Sequence, residues 1–429
     1  MYRNLRAILL GATSAIFMAS AGHAADLVAA PPPTGFNWSG FYVGVGGGFG
    51  AVNHKIGVSG LGSFNGIGGE GLFGELTVGY DHMLTDRILL GGFIDTHVGN
   101  IGMNLDAAPL INADLTNSYG FDAIARLGYV LNDSTLGYVL GGYTWEHFKL
   151  DASSPFFGGS FDYNESRSGY VLGVGMETAI GHNWTIKTEY RYADYGNKSV
   201  LDLAPGTSLN VEPSTHTFHI AANYRFGAEG TGPAIASPAY DWTGFYVGAA
   251  LGAGEVVHDL SIFGGAADLN GIGGEGVFGE LNAGYDHDFG NFVAGAMVDG
   301  NLSGISTDLD IGGGGGSAHL KADYGFDILG RVGMKVNPST LAYVLGGYSW
   351  AHFKAEASGP AFGGSGSYDW NSSGFSVGGG LETAVATNTT LGIEYRYAQF
   401  GSEDFGSGGA FEVKPSSHTV RVGLKYKFN

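Results

Sequence analysis

The chain has 429 residues, of which 78 are glycine, 13% are aromatic and none is cysteine, and its mean hydropathy is only +0.06. Twenty Lys and Arg face 40 Asp and Glu, so the surface repels nucleic-acid phosphates, and no basic patch interrupts it. The absence of cysteine also removes a small disulfide-stapled scaffold.

At the N-terminus, Arg3 and Arg6 precede an apolar run from Ala7 to Ala19, and Gly22-His23-Ala24 sets small residues at the −3 and −1 positions of a cleavage site. This order predicts a secretory signal peptide over 1–24. The run is shorter than the roughly 20 apolar residues a membrane-spanning helix needs. Its removal takes away two arginines and no acid, which makes the mature chain more acidic still. No later segment reaches that apolar length. If the exported chain crosses a membrane, it must do so as a closed barrel, whose strands satisfy every backbone hydrogen bond. Alternating lipid-facing and lumen-facing residues account for the near-neutral hydropathy.

A lead-in over 25–37 is followed by two copies of one unit, at 38–227 and 242–429. The segment Asn65–Leu76 (Asn-Gly-Ile-Gly-Gly-Glu-Gly-Leu-Phe-Gly-Glu-Leu) returns at Asn270–Leu281 with a single change. Ser134–Trp145 returns at Ser339–Trp350, and Glu189-Tyr-Arg-Tyr192 at Glu394–Tyr397. Residues 228–241 are rich in Gly, Ala and Pro and read as a linker. They resemble the lead-in of the first copy, so whole units were duplicated.

Period-2 alternation predicts eight strands in copy one, near 39–50, 71–81, 87–99, 119–131, 135–149, 169–180, 184–194 and 216–226. Copy two repeats them near 243–254, 276–286, 291–303, 323–336, 340–354, 373–384, 389–399 and 418–428. Tight turns alternate with long Gly/Ser/Asn/Asp-rich loops at 51–70, 100–118, 150–168 and 195–215. Short periplasmic turns and long external loops are the pattern of outer-membrane barrels. The expected fold is all-β, a transmembrane antiparallel up-and-down barrel. Two tandem eight-stranded barrels are favoured because the linker is longer than any periplasmic turn. One sixteen-stranded, porin-like barrel for small solutes stays open as the alternative.

Charges in hydrocarbon are costly, so the charged set of each strand must point inward. In copy one this set is Glu75, Asp95, Asp122, Arg126, Glu177, Lys187, Glu189, Arg191 and Arg225. In copy two it is Glu280, Asp299, Asp327, Arg331, Glu382, Glu394, Arg396, Arg421 and Lys425. Both signs occur in each, as buried charges require. A salt-bridged plug of the lumen is expected in preference to an ion path.

Other chemistry finds little support. Gly44–Gly50 and Gly66–Gly71 resemble nucleotide loops, but no helix pattern follows and no Gly-Lys-Ser/Thr is near. These glycines are expected to keep the lumen uncrowded and let strands bend. His216 and His219 fall on opposite strand faces, and His147 and His352 are expected inward beside Tyr143/Trp145 and Tyr348/Trp350. No metal ligands, cofactor or catalytic residues are assigned, because no cluster has metal-ligand spacing and no Ser/His/carboxylate set converges.

Trp38-Ser-Gly-Phe-Tyr-Val-Gly, Tyr170–Ala179 and Thr185–Tyr192 resemble the small outer-membrane β-barrel family of alphaproteobacteria, the Omp25/Omp31-like surface proteins with an OmpA-like eight-stranded barrel. The likeness covers each copy nearly end to end. It implies an outer-membrane location, contact with lipid and lipopolysaccharide, and insertion by the barrel-assembly machinery. It further implies a role in envelope integrity or surface interaction with an extracellular ligand, with binding of haem or another ligand at the cell surface as a lesser alternative, and no catalytic residues. Two departures stand out: family members usually carry one barrel, and Phe428, the aromatic insertion signal, is followed by Asn429.

Overall fold

The computed structural model describes residues 35–428 apart from 108–110, 156–158, 229–231, 234, 263, 266 and 406–410. The predicted signal peptide lies outside the described residues. Copy one contains β1 (Gly40–Val58), β2 (Gly62–Met83), β3 (Ile88–Ala107), β4 (Ile111–Val130), β5 (Thr135–Ser154), β6 (Gly159–Ala179), β7 (Trp184–Asp194), β8 (Lys198–Ala204) and β9 (Thr207–Arg225). Copy two contains β10 (Gly244–Ile262), β11 (Ala267–Asp288), β12 (Phe292–Ile311), β13 (Gly316–Asn337), β14 (Thr340–Ser358), β15 (Gly366–Ala386), β16 (Thr389–Phe400), β17 (Glu403–Phe405) and β18 (Phe411–Phe428).

Each strand is amphipathic with period 2. On β2, Leu76, Val78 and Tyr80 are 63%, 60% and 45% exposed, whereas the intervening Glu75, Thr77 and Asp81 are buried. A polar inside and a greasy outside suit lipid as the surrounding solvent. Aromatic residues border the greasy band. Phe41, Tyr80, Trp184, Tyr224 and Phe226 lie near the short turns, and Tyr119, Phe121, Tyr143 and Tyr170 lie farther up the same strands. Such belts mark the two membrane interfaces.

Two expectations need correction here. Tyr143, Trp145 and His147 point outward, because Thr144, Glu146 and Phe148 are the buried residues of β5. His147 stacks on Tyr119 at 4.8 Å, and His352 stacks on Tyr324 at 4.7 Å in the same way. The long external loops are also largely strand. β1 passes into β2 through Ser59–Leu61 alone, with Gly60 at φ 77° supplying the left-handed turn residue. Beyond the membrane both strand faces meet water, so no apolar alternation announces these extensions. A spanning strand needs only about 9–11 residues, and β2 has 22.

Closure occurs within each copy. β1 pairs antiparallel with β9 from Tyr42↔Arg225 to Val58↔Leu209, and β10 pairs with β18 from Phe245↔Phe428 to Ile262↔Phe411. A sixteen-stranded ring would need β9 against β10 and β18 against β1. The first strand of each copy has instead spent its edges on its own second and last strands. β7 pairs directly with β9 and β16 with β18, and the short β8 and β17 only continue the wall beside the outer ends of β9 and β18, so the fold is two eight-stranded barrels.

The barrels meet along a seam with approximate two-fold symmetry. The hydroxyls of Thr135 and Thr340 lie 2.9 Å apart, each the other's counterpart. Asn132 Nδ2 donates to Thr383 Oγ1 at 2.8 Å, and Asn337 Nδ2 donates to Thr178 Oγ1 at 2.9 Å. At the other end His216 Nε2 meets Glu275 at 3.0 Å and His418 Nε2 meets Glu70 at 2.5 Å. Between these polar ends Met176, Phe218, Leu381, Ile393, Tyr395 and Val420 form an apolar cluster. These residues sit on the outward, lipid-type face of their strands, yet the partner barrel buries them.

The repeated glycine motif belongs to this seam. Beyond the membrane, β2 pairs with β12 (Asn65↔Asp308 to Gly62↔Ile311) and β3 with β11 (Asn104↔Asn270 to Asp106↔Asp268), with Ile67↔Ile272 between them. A Cβ on Gly68 would stand 2.6 Å from the Gly273 Cα, so no side chain fits at this crossing. The expectation that these glycines mainly clear the lumen is therefore corrected at Gly68: with Gly273 opposite it, it admits the neighbouring barrel.

Candidate functional site

The lumen is the chemically distinctive region, and every charged position assigned to it from sequence lies inside a barrel wall, buried or nearly so. In barrel one, Arg126 donates from Nε to Asp81 Oδ1 at 2.9 Å and from Nη1 to Glu177 Oε2 at 2.9 Å. Arg225 Nη2 donates to Asp81 at 2.8 Å and to Glu177 at 3.0 Å. Thr185 and Asn223 also donate to Glu177, at 2.5 and 3.0 Å. Two carboxylates, Asp81 and Glu177, thus neutralise two guanidiniums, each shared by both.

A second layer lies above the first. Arg191 Nη1 donates to Asp95 Oδ2 at 2.7 Å and Asp122 Oδ2 at 2.9 Å, while its Nη2 reaches Glu189 at 2.5 Å. Lys187 bridges Glu189 at 3.3 Å and Glu75 at 3.6 Å, and Tyr138 donates to Glu189 at 2.5 Å. β3 and β4 set Asp95 directly opposite Asp122. Such like charges are tolerated only because Arg191 divides itself between them.

Barrel two repeats the plan with different cations. Arg331 joins Asp286 and Glu382, and Lys425 reaches Glu382 at 2.8 Å. Arg396 holds Asp299 at 2.6 Å, Asp327 at 2.9 Å and Glu394 at 2.5 Å. Arg421 pairs with Glu280. Gly392 stands where barrel one has Lys187, and Arg421 where it has His219.

Below the ladders, the tryptophan that opens each unit closes the floor of its barrel. Trp38 is 1% exposed and lies under Arg225, whose guanidinium is 4.9 Å from its ring. Trp242, equally buried, receives Lys427 on its carbonyl oxygen. Three cavities along the lumens measure about 30, 80 and 20 Å³, room for one to a few waters each.

Several lumen residues were missing from the sequence-based set. Asp81 and Asp286 sit at strand ends, where period-2 counting loses its anchor against the turn. His97, Glu146 and His219 are inward as well. His97 shares parity with Asp95 two residues away, and that Asp-x-His spacing was the available signal. Phe428, the expected insertion signal, is 54% exposed beside Tyr426, paired with Phe245. One carboxylate stands apart: Glu255, buried at the seam with neither oxygen hydrogen-bonded among the described residues.

Comparison with known proteins follows the duplication. The outer membrane protein beta-barrel domain matches residues 13–226 and again 230–428. The 31 kDa outer-membrane immunogenic protein of Brucella melitensis is 28% identical over 246 residues, which cover 52% of this chain and 100% of that protein. The 22 kDa outer membrane protein of Rhizobium leguminosarum bv. viciae is 31% identical over 198 residues, 44% of this chain and 80% of its own length. Among solved structures, Ail of Yersinia pestis is 19% identical across 44% of this chain and 99% of that one, with a TM-score of 0.26 that carries no weight.

Proposed function

This chain belongs to the outer membrane protein beta-barrel domain family and resides in the outer membrane, and from that premise we propose that it is a non-catalytic structural and surface protein. Its barrels are anchors, and its working surface is the joined, acidic hairpin sheet that rises beyond the membrane. The filled lumen carries this reading: ion-paired layers and a tryptophan floor occupy the space a pore would need. An eight-stranded barrel is wide enough for side chains and little more.

On this proposal the greasy band contacts lipid and lipopolysaccharide, and the barrel-assembly machinery inserts the chain, with Phe428 near its C-terminal signal. The cross-barrel strand pairs hold the hairpins in a fixed register, so an extracellular ligand would meet one rigid platform. Such a platform favours envelope integrity and surface interaction over transport.

Planar-bilayer recording of the refolded protein is expected to show no steady open-channel conductance. Cells lacking the protein are expected to become more sensitive to detergent and to chelators. A stable ohmic conductance with millimolar solute flux would instead support the porin reading. Unchanged envelope sensitivity would remove the integrity role while leaving surface binding to be measured.

A further inference from the structure

We propose that the lumen of the first barrel holds a divalent transition-metal ion, ligated by Asp95, His97 and Asp122. Each of these residues can offer a ligand atom, with all three atoms within 4.8 Å of one another. Asp95 and His97 alternate inward on β3, and Asp122 lies across from Asp95 on β4. The backbone itself therefore gathers the three.

Hydrogen bonding leaves the correct atoms free. Arg191 occupies Oδ2 of both aspartates, at 2.7 and 2.9 Å. Asp95 Oδ1, Asp122 Oδ1 and His97 Nδ1 are buried and have no hydrogen-bond partner among the described residues. The first two belong to side chains more than nine-tenths buried, and His97 Nδ1 stands 3.7 Å from Asp95 Oδ1. Ligands of a tetrahedral ion at about 2.0–2.1 Å are roughly 3.4 Å apart, so a small rotation closes the set.

The outer arrangement fits as well. His97 Nε2 lies 2.7 Å from Glu146 Oε2. A carboxylate only accepts, so Nε2 carries a proton, and Nδ1, which faces Asp95 Oδ1, presents its lone pair once a metal ion takes the place of any proton there. A carboxylate behind a ligating imidazole is the usual second partner of a metal-bound histidine. Asn117 Oδ1, also buried without a partner, lines the same cavity of about 30 Å³ as His97 and Asp122. That cavity has room for a water as the fourth ligand.

Charge points the same way. Glu75, Asp95, Asp122, Glu146 and Glu189 surround Arg191 and Lys187, an excess of three negative charges if His97 and His219 are neutral. A divalent cation offsets most of it. Barrel two provides an internal contrast, because Asn301 replaces His97 and Ala351 replaces Glu146. Both the nitrogen ligand and the group that orients it are gone together, and Arg421 adds a positive charge there. One imidazole and two or three oxygens suit zinc, with manganese and iron as competitors.

The test uses the full mature chain refolded in detergent, stripped with EDTA, supplied with zinc and desalted. Elemental analysis is expected to find one zinc per chain in the unaltered protein and none in His97→Asn. Glu146→Gln should weaken zinc binding about 10–100-fold through loss of ring orientation. Replacing the exposed His319 by Asn should leave retention unchanged. Cobalt in place of zinc should give a visible ligand-field band that His97→Asn abolishes. Heat-modifiable mobility on gels confirms that each variant is folded, and Glu146→Gln serves if His97→Asn is not. Equal retention by the unaltered protein and both variants, or retention by none, overturns the proposal. His97 would then be only the protonated partner of Glu146 and Asp95.

Discussion

Replacing Glu177 by alanine is expected to lower the unfolding free energy by about 3–5 kcal/mol, the usual cost of stranding a buried charge. The effect falls at the high end because two guanidiniums lose their shared acceptor, Arg126 at 2.9 Å and Arg225 at 3.0 Å. Asp81 remains, and a single carboxylate must then satisfy both. Thr185→Ala, which removes one donor to the same carboxylate, should cost only about 1 kcal/mol. Glu382→Ala should mirror the large effect through Arg331 and Lys425. Because the two rings close separately, the double variant should be near additive. Urea unfolding in lipid vesicles, followed by tryptophan fluorescence, measures all four. A loss below about 1 kcal/mol for Glu177→Ala would mean that water fills the lumen and screens the pair.

The second large effect concerns the seam. With a protease site inserted between Gly227 and Ser237 and then cut, the two barrels are expected to remain associated in mild detergent. Tyr395→Arg should drive them apart. Tyr395 stacks between Phe49 and Phe218, with both centroid distances 5.2 Å. Each aromatic pair contributes about 0.5–1.5 kcal/mol beyond its buried area, and an arginine there loses both stacks and sets a charge among the apolar residues of the seam. Glu255→Ala should act in the opposite direction. Its counterpart is Ala51, opposite Glu70 as Glu255 is opposite Glu275, and its own carboxylate is buried without a hydrogen bond. Removing that charge should strengthen the association. Sedimentation or light scattering of the cut protein reports the outcome. Cut halves that separate without any substitution would show that the linker alone holds the barrels together.

Much of the site was legible because a barrel wall imposes one rule. Each second residue faces lipid or lumen, and a charge has only one affordable side. Glu75, Asp95, Glu177, Arg191 and their second-copy equivalents followed from that rule alone. His147 did not, because Tyr143, Trp145 and His147 form an alternating row that fits either face equally well. The neighbouring Glu146 held the answer, since a carboxylate could not take the lipid side. Asp81 and Asp286 escaped for a different reason: they sit next to turns, where strand parity has no fixed origin.

The chain's own order of residues determined that it closes barrels, twice, with charged interiors and aromatic borders, because alternation is local and the cost of an exposed backbone in lipid admits no other wall. What only the tertiary structure decided is who stands beside each outward residue. Phe218, Tyr395 and Met176 carry the same apolar pattern whether their neighbour is a lipid tail or a second barrel. Apolar side chains make no directional demand, so alternation is blind to that difference. The repeated glycines around Gly68 and Gly273 are subject to the same limit. A missing side chain shows that something comes close, and only the assembled fold shows that it is the other copy.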